Sequence, residues 1–161
     1  MAESNLSFAA QVSEWVQAEK EREASVLRTA AQMVANNVRR SVAEGGRIPV
    51  DTGNLKNSLM ASTSTMPRVD EGERQYPDQS GEIELIISNL DIGETLYLGF
   101  QTAYGPRMNY GFVGQDSLGR VYNQQGFGFV DAEAQTWPQT VKEAEAKVRG
   151  RFGAGPSPRT S

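Results

Sequence analysis

The N-terminal segment constrains the fold more strongly than any other part of the chain. From Phe8 to Val42, apolar residues recur in steps of three and four, which is the spacing of an amphipathic α-helix. Ser7 is suited to cap the start of this helix, and the Gly45-Gly46 pair is a strong signal for its end. Between the two apolar halves, residues 17–23 are good helix formers without an apolar anchor, so the helix either runs unbroken or bends there.

An unbroken helix would be too long for one small domain to cover. About 37 residues at about 1.5 Å each span about 55 Å. The whole chain has 161 residues, enough for a single domain with one core. We therefore expect part of a continuous helix to reach a partner subunit, and the alternative is two ordinary helices packed on one core.

The chain contains neither cysteine nor histidine. It therefore lacks the thiolate nucleophile, the disulfide bond, the usual proton shuttle at neutral pH and the commonest metal ligand. This composition removes most enzyme classes, so we predict no enzymatic activity, no cofactor and no metal site. No run approaches the roughly 18 apolar residues that a membrane span needs, and the N-terminus lacks a secretory pattern, so we expect a soluble, unexported protein without a membrane partner.

The segment 49–59 predicts a change from helix to sheet. Pro49 fixes its own φ angle and pushes the preceding residue toward extended geometry. Asp51 or Thr52 can cap a short helix that carries Leu55 and Leu59 four positions apart. The predicted hinge and cap residues are Pro49, Asp51, Thr52, Gly53 and Leu55.

Three strands are predicted after this hinge. Residues 60–66 are rich in threonine and short side chains, which favours a strand of low hydrophobicity, and the charged residues 68–81 are typical of a mobile loop. In 82–88 and 95–100, apolar and polar residues alternate, and the turn at 89–93 would pair these two strands antiparallel. The predicted inward positions are Ile83, Leu85, Ile87, Leu96, Leu98 and Phe100.

The last third of the chain combines turns with a final helix. Pro106 is suited to the first turn of a short helix that Gly111 would end, and residues 113–128 resemble a loop or short hairpin. A helix is predicted over 131–149, and Trp137-Pro138 would kink it or start it afresh.

Together these elements predict an α+β fold with a long N-terminal helix, a small and mainly antiparallel sheet, short helices and a C-terminal helix. We expect one domain over residues 1–149 and a flexible tail over 150–161. Within the domain, the helical arm covers about 7–44, the sheet region about 59–130 and the last helix about 131–149.

Two groups of side chains are candidates for functional sites. Glu82 and Glu84 would share one strand face, where a solvated surface is favoured over a catalytic carboxylate pair. Aromatic residues are favoured as packing or interface anchors, because they are not interleaved with a basic stripe that would mark a nucleic-acid site. The candidate interface residues are Trp15, Tyr97, Tyr104, Tyr110, Phe127, Phe129 and Trp137.

The formal net charge is −4, which argues against a surface that grips nucleic acid by neutralising phosphates. The charge is uneven along the chain: residues 68–94 hold eight acids and two arginines, whereas 138–161 hold five bases and two glutamates. This pattern indicates either an acidic loop and a solvated basic tail, or opposite patches that steer subunits together head to tail.

Three segments, in their order along the chain, resemble the small neck and tail-completion proteins of long-tailed double-stranded DNA bacteriophages. They are Pro-Val-Asp-Thr-Gly-Asn-Leu-Lys-Asn-Ser-Leu at 49–59, the tyrosine-containing segment 103–111 and the Gly-Phe segment 125–130. The resemblance covers roughly residues 8–149. The chain departs from the family at Asn109, where an acid is frequent, and at Gly105-Pro106, which interrupts the tyrosine segment.

The resemblance implies a structural virion protein that joins the head to the tail. Its members form homo-oligomeric rings, here expected to be six-fold or twelve-fold, between the head connector or closure protein and the tail terminator or tail-tube protein. Genomic DNA would pass through the ring channel without sequence-specific binding. The expected location is the virion neck or tail, and the host cytoplasm during assembly.

Two other functions stay open from the residues alone. The first is a small phage-encoded nucleic-acid-binding regulator that uses the basic segment 138–161. The second, more remote, is an enzyme that uses Glu82 and Glu84.

Overall fold

The computed structural model describes residues 7–49, 53–115 and 117–152. The helices are α1 (Phe8–Val38), α2 (Asn54–Asn57), α3 (Ser80–Ser88), α4 (Gly105–Tyr110), α5 (Phe129–Gln135) and α6 (Trp137–Phe152), with a 3-10 turn at Val42–Glu44. The strands are β1 (Leu59–Ser62), β2 (Tyr97–Phe100), β3 (Gly111–Gln115) and β4 (Val121–Gln125). Strands β1 and β2 pair antiparallel, as do β3 and β4. The predicted α+β class is therefore confirmed.

Among the described residues, no helix is long and apolar enough to cross a membrane.

Helix α1 is continuous through residues 17–23. Its start is capped as predicted, because the Ser7 hydroxyl accepts a hydrogen bond from the backbone N–H of Ala10 at 3.2 Å. The helix ends at Val38, before the predicted glycine stop, and Gly45 instead ends the following 3-10 turn with a φ of 84°. A parallel bridge between Ser41 and Ile48 then directs the chain toward α2.

The main core lies between α1, α3 and the β1–β2 sheet. Its buried residues are Ala31, Ala35, Val38, Leu59, Ala61, Ile83, Ile87 and Leu90. A second, smaller core joins the hinge region to α5, where the rings of Phe100 and Phe129 meet edge to face with centroids 5.2 Å apart. Helix α6 packs along α1 and buries Ala144 and Val148.

The strand predicted over 82–88 is wrong, because these residues form α3. Ile83 and Ile87 are buried four positions apart, while Leu85 is 63% exposed, which is the pattern of a helix with one covered face. The Asp78 carboxylate supports the start of this helix by accepting hydrogen bonds from the backbone N–H and hydroxyl of Ser80.

The partner of β2 is therefore also different from the prediction. Strand β2 pairs with β1, and the register places Leu59 opposite Phe100 and Ser62 opposite Tyr97. The first predicted strand is shorter than expected, because the Ser62 hydroxyl accepts hydrogen bonds from the backbone N–H groups of Ser64 and Thr65 and turns the chain.

The structure of the C-terminal half agrees more closely with the predictions from local sequence. Helix α4 carries Pro106 in its first turn and ends at Gly111, whose φ is 87°. The hairpin alternative for 113–128 is confirmed by β3 and β4. The last helix is divided at Trp137, as one of the two alternatives at Trp137-Pro138 predicted, although α5 begins at Phe129 rather than after Asp131.

Candidate functional site

Two of the segments that carry the family resemblance meet at one cleft. The cleft has a volume of about 820 Å³ and an open mouth. One wall comes from the hinge, at Pro49 and residues 53–55, and the other from residues 102–104 with Arg107 and Met108 of α4. The loop at 72–76 completes it. The fold thus brings together segments that lie about fifty residues apart in the chain.

Asn54 connects the hinge to the loop. Its side-chain Nδ2 donates a hydrogen bond to the carbonyl of Arg74 at 2.7 Å, and its Oδ1 accepts one from the N–H of Tyr76 at 2.8 Å. The side chain is buried, so these two backbone groups depend on it rather than on water. Asn54 therefore sets the position of the loop against α2.

We expect Asn54→Ala to lower the free energy of unfolding by about 1–3 kcal/mol, because it leaves two backbone groups without their partner. Loosening of residues 72–76 should accompany the loss, and hydrogen exchange at the Tyr76 amide would detect it. Asn57→Ala, which removes the same side chain from the same helix without touching the loop, is the matched control. Equal effects of the two variants would contradict this role for Asn54.

The loop is also fastened to the end of β2 by a buried tyrosine. The Tyr76 hydroxyl lies 2.5 Å from Asp70 Oδ2 and 3.2 Å from the carbonyl oxygen of Gln101. The backbone N–H of Asp70 donates to that same carbonyl at 2.8 Å. Burial, and then the hydrogen bond to the Asp70 carboxylate, raise the pKa of Tyr76 to about 12. The segment predicted as a mobile loop is thus held at several points to the folded domain.

This tyrosine predicts a loss of stability at alkaline pH. Because the folded state holds the phenolic proton more tightly than the unfolded state, the stabilisation is complete below about pH 10 and is lost as the pH rises toward about 12. Denaturant unfolding at a series of pH values should show this fall in the natural chain and a shallower fall in Tyr76→Phe. Tyr110→Phe, at a tyrosine that is 71% exposed, is the control. A fall in Tyr76→Phe as steep as that of the natural chain would contradict the assignment.

The cleft offers hydrogen-bonding groups and cations. Thr102 is 2% exposed, and its hydroxyl has no hydrogen-bond partner within the described residues. Arg107 lies over the ring of Phe112 at 4.4 Å from the centroid, and Arg74 lies 3.5 Å from the Asp70 carboxylate. In the part of the chain that the structure describes, no group of three acidic, histidine or cysteine side chains could hold a metal ion. The exposed cations of the cleft are therefore Arg74 and Arg107, whereas the Thr102 hydroxyl is buried.

The hinge residues fall into three groups. Pro49 and Gly53 line the cleft, and Gly53 precedes α2 with a φ of 78°, in the left-handed region that glycine adopts readily. Asp51 and Thr52, the predicted caps, lie outside the described residues. Leu55 is buried in the second core, but its predicted pairing with Leu59 on one short helix is wrong, because α2 ends at Asn57 and Leu59 begins β1 in the main core.

A second concavity, which we call the apolar groove, runs beside α1 and has a volume of about 760 Å³. Its floor contains Asn109, which is 5% exposed; the Oδ1 of this residue accepts from the N–H of Val130, while its Nδ2 has no hydrogen-bond partner among the described residues. The lining of the groove includes Leu27, Leu96, Leu98, Val130, Glu133 and Trp137. Sequence analysis missed this groove, because its residues come from six separate helices and strands and from the loops between them.

The N-terminal half of α1 presents an uncovered apolar face. Residues 8–23, which we call the arm, are exposed apart from the half-buried Ala10 and Glu19. Phe8 is 82% and Trp15 is 65% exposed, and Val12 and Val16 lie on the same side of the helix.

The predicted interface residues occupy different environments. Trp15 lies on the arm, Tyr110 and Trp137 line the apolar groove, and Tyr104 lines the cleft. Tyr97 is half-buried on β2, and Phe127 is partly exposed before α5. Phe129 is 2% exposed and packs in the second core, and it also lines the apolar groove.

The charged residues that the sequence suggested as functional candidates lie on helices α3 and α6. Glu82 and Glu84 are exposed on α3, so their predicted common strand face is wrong. Four bases of the C-terminal segment, Lys142, Lys147, Arg149 and Arg151, are exposed on α6, where Glu143 and Glu145 are interspersed with them. The fifth base, Arg159, lies outside the described residues.

In comparisons with protein-family models, curated proteins and solved structures, no family, protein or structure matches this chain.

Proposed function

We propose that this chain is a structural subunit of a bacteriophage neck. Copies of it form a ring between the head connector or closure protein and the tail terminator or tail tube, and they complete or join the tail. The observation that carries this proposal is the arm, a projecting half-helix with an apolar face that includes Phe8 and Trp15. The resemblance of segments 49–59, 103–111 and 125–130 to the neck and tail-completion proteins supports the phage context.

The energetics of the arm favour assembly over an isolated monomer. Covering one large apolar side chain stabilises a contact by about 1.5–3 kcal/mol, and an exposed apolar patch of several hundred Å² marks an interaction surface. Phe8 and Trp15 expose most of their surface. The arm extends beyond the core of its own chain, so contact with another molecule is the way to bury these side chains. An assembly protein uses such a face when it meets its neighbour.

The acidic segment is suited to a channel that DNA must pass. Seven of the eight acids in 68–94 are exposed: Glu71, Glu73, Asp78, Glu82, Glu84, Asp91 and Glu94. A negatively charged surface repels phosphates and releases no counterions from DNA, so the duplex would slide along it without binding tightly. This distribution supports the proposed role in the DNA channel. The location that goes with this role is the neck or tail of the virion, with assembly in the host cytoplasm.

The proposal is tested in the phage whose genome encodes the chain. Loss of the gene should yield DNA-filled heads and separate tails in electron micrographs, and the natural chain supplied in trans should restore joined particles and infectious yield. Normal yield without the chain would contradict the neck function. A salt titration of DNA binding by the purified protein tests the regulator alternative, since tight binding that weakens steeply with salt would favour that alternative instead.

A further inference from the structure

We propose that the arm of one copy docks in the apolar groove of a second copy, so that subunits join head to tail. This inference rests on the proposed self-assembly and adds to it the two surfaces that meet. The occupant of the groove is thus a helix of the same chain. Recognition would follow the familiar mode in which an amphipathic helix lays its apolar face into a hydrophobic groove.

The arm provides the helix that such a groove accepts. Phe8, Val12 and Trp15 recur in steps of four and three, and Val16 widens the same face. Glu14 is the charged residue within this stretch, and it falls on the opposite side of the helix. The face is therefore apolar over two turns, with two aromatic anchors of the type that dominate interface energies.

The groove provides a matching surface. Leu96 and Leu98 of the sheet region and Leu27 of α1 form its apolar walls, and the partly exposed Trp137 lies at its edge. Its charged lining residues already accept hydrogen bonds, Glu133 from Asn37 Nδ2 and Glu94 from the N–H of Asp91.

The arm cannot reach the groove of its own chain. Phe8 and Leu27 belong to one continuous helix, so about 28 Å of rigid helix separates the tip of the arm from the first groove residue of α1. The two surfaces are also different patches of the molecule. A contact between them in two copies is therefore heterologous, and its repetition gives a closed ring or an open array.

The area of the contact agrees with a subunit that assembles cooperatively. The arm is about 24 Å long, and seating one side of it would bury roughly 1,000 Å² in total, which is at the low end of specific interfaces. A single contact of this size is weak. In a ring each subunit makes two such contacts, one with its arm and one with its groove, so closure stabilises the assembly more than any isolated pair.

The absence of natural cysteine permits a direct test. Val12→Cys protein is mixed with Val130→Cys protein under mild oxidation, and we expect mixed disulfide dimers to form at least about tenfold faster than with Gln17→Cys, which lies on the opposite side of the arm. Both positions are partly exposed on the proposed surfaces, so the substitutions spare the core. Equal rates for Val12→Cys and Gln17→Cys would overturn the proposal, as would a product dominated by Val12→Cys homodimers, which would indicate that arms pair with each other.

A second measurement uses charge instead of a covalent bond. Trp15→Asp should weaken self-association in sedimentation experiments by at least about 100-fold, because a desolvated aromatic anchor is lost and a charge is introduced. Gln17→Asp should leave self-association unchanged. Val130→Glu should also weaken self-association, because it changes the groove. In a mixture of the two variants, Val130→Glu keeps an intact arm and Trp15→Asp keeps an intact groove, so the mixture should form one-to-one dimers. Unchanged self-association of Trp15→Asp would overturn the proposal.

The interface and the proposed function can fail separately. If phage lacking the chain assembles normally while the Val12→Cys and Val130→Cys proteins still form mixed dimers, the neck function is wrong and the interface stands. If the natural chain restores head–tail joining and Trp15→Asp restores it equally well, the neck function stands and this interface is wrong.

Discussion

Ile83→Ala is expected to lower the free energy of unfolding by about 2–5 kcal/mol, while Leu85→Ala changes it by no more than about 0.5 kcal/mol. Ile83 is 1% exposed in the main core, so truncating it loses apolar burial and leaves a cavity that α1 and β1 fill only in part. Leu85 lies only two positions away but is 63% exposed. Denaturant unfolding of the two variants measures the difference directly.

This pair of variants distinguishes the helix from the strand that the alternation predicted. In a strand, residues two positions apart share a face and both truncations would be costly. In α3 they point in different directions, whereas Ile87, four positions from Ile83, should behave like Ile83 because it is 2% exposed. Similar losses at Ile83 and Leu85 would contradict the helical assignment.

Gly111→Ala is expected to destabilise the fold by about 3–5 kcal/mol, because two separate penalties act at this position. Its φ is 87°, a conformation that a residue with a Cβ adopts only under strain. A Cβ there would also lie 2.5 Å from the carbonyl oxygen of Gln124 and 2.8 Å from the backbone nitrogen of Gly126. These neighbours are backbone atoms at the end of β4 and directly after it, so neither can rotate away.

The matched control is Gly119→Ala in the β3–β4 turn. Gly119 has a φ of 76°, but a Cβ would meet nothing within 4 Å, so the strain alone should cost about 1–2 kcal/mol. Thermal and denaturant unfolding of both variants separates the close approach from the backbone strain. Equal losses would show that the contact with β4 does not matter.

The Gly111 junction is important because it holds one side of the apolar groove. Just before it, the carbonyls of Met108 and Asn109 accept hydrogen bonds from Phe127 and Gly128, which lead into α5. Loosening this junction should therefore disturb the position of Val130 as well as lower stability. Gly111→Ala should accordingly weaken the docking of the arm in addition to destabilising the fold.

Local chemistry alone predicted several elements correctly. The Ser7 cap, the short helix from Pro106 to Gly111, the hairpin after it and the break at Trp137-Pro138 each depend on residues within one or two turns of each other. Such signals act through φ preferences and hydrogen bonds between near neighbours in the chain, so their effect does not depend on the tertiary contacts of the segment.

Where the prediction failed, the secondary structure or the burial of the segment depended on residues that are distant in the chain. A short apolar run such as 82–88 fits both a strand and a helix, and packing against α1 and β1 selects the helix. Phe127 and Phe129 stand in nearly identical local sequence, yet only Phe129 meets Phe100 and is buried. Leu55 and Leu59 likewise enter different cores, because the chain changes from α2 to β1 between them.

The sequence by itself determined that α1 is a long amphipathic helix, that the fold is α+β, and that chemistry based on histidine or cysteine is absent. The tertiary structure alone decided that the arm extends uncovered beyond the core, that the hinge and segment 103–111 share a cleft, and that a groove lies beside α1. The physical reason is that helical periodicity and residue chemistry act between neighbours in the chain. A cleft or a groove exists only after distant segments have packed and left part of their surface uncovered.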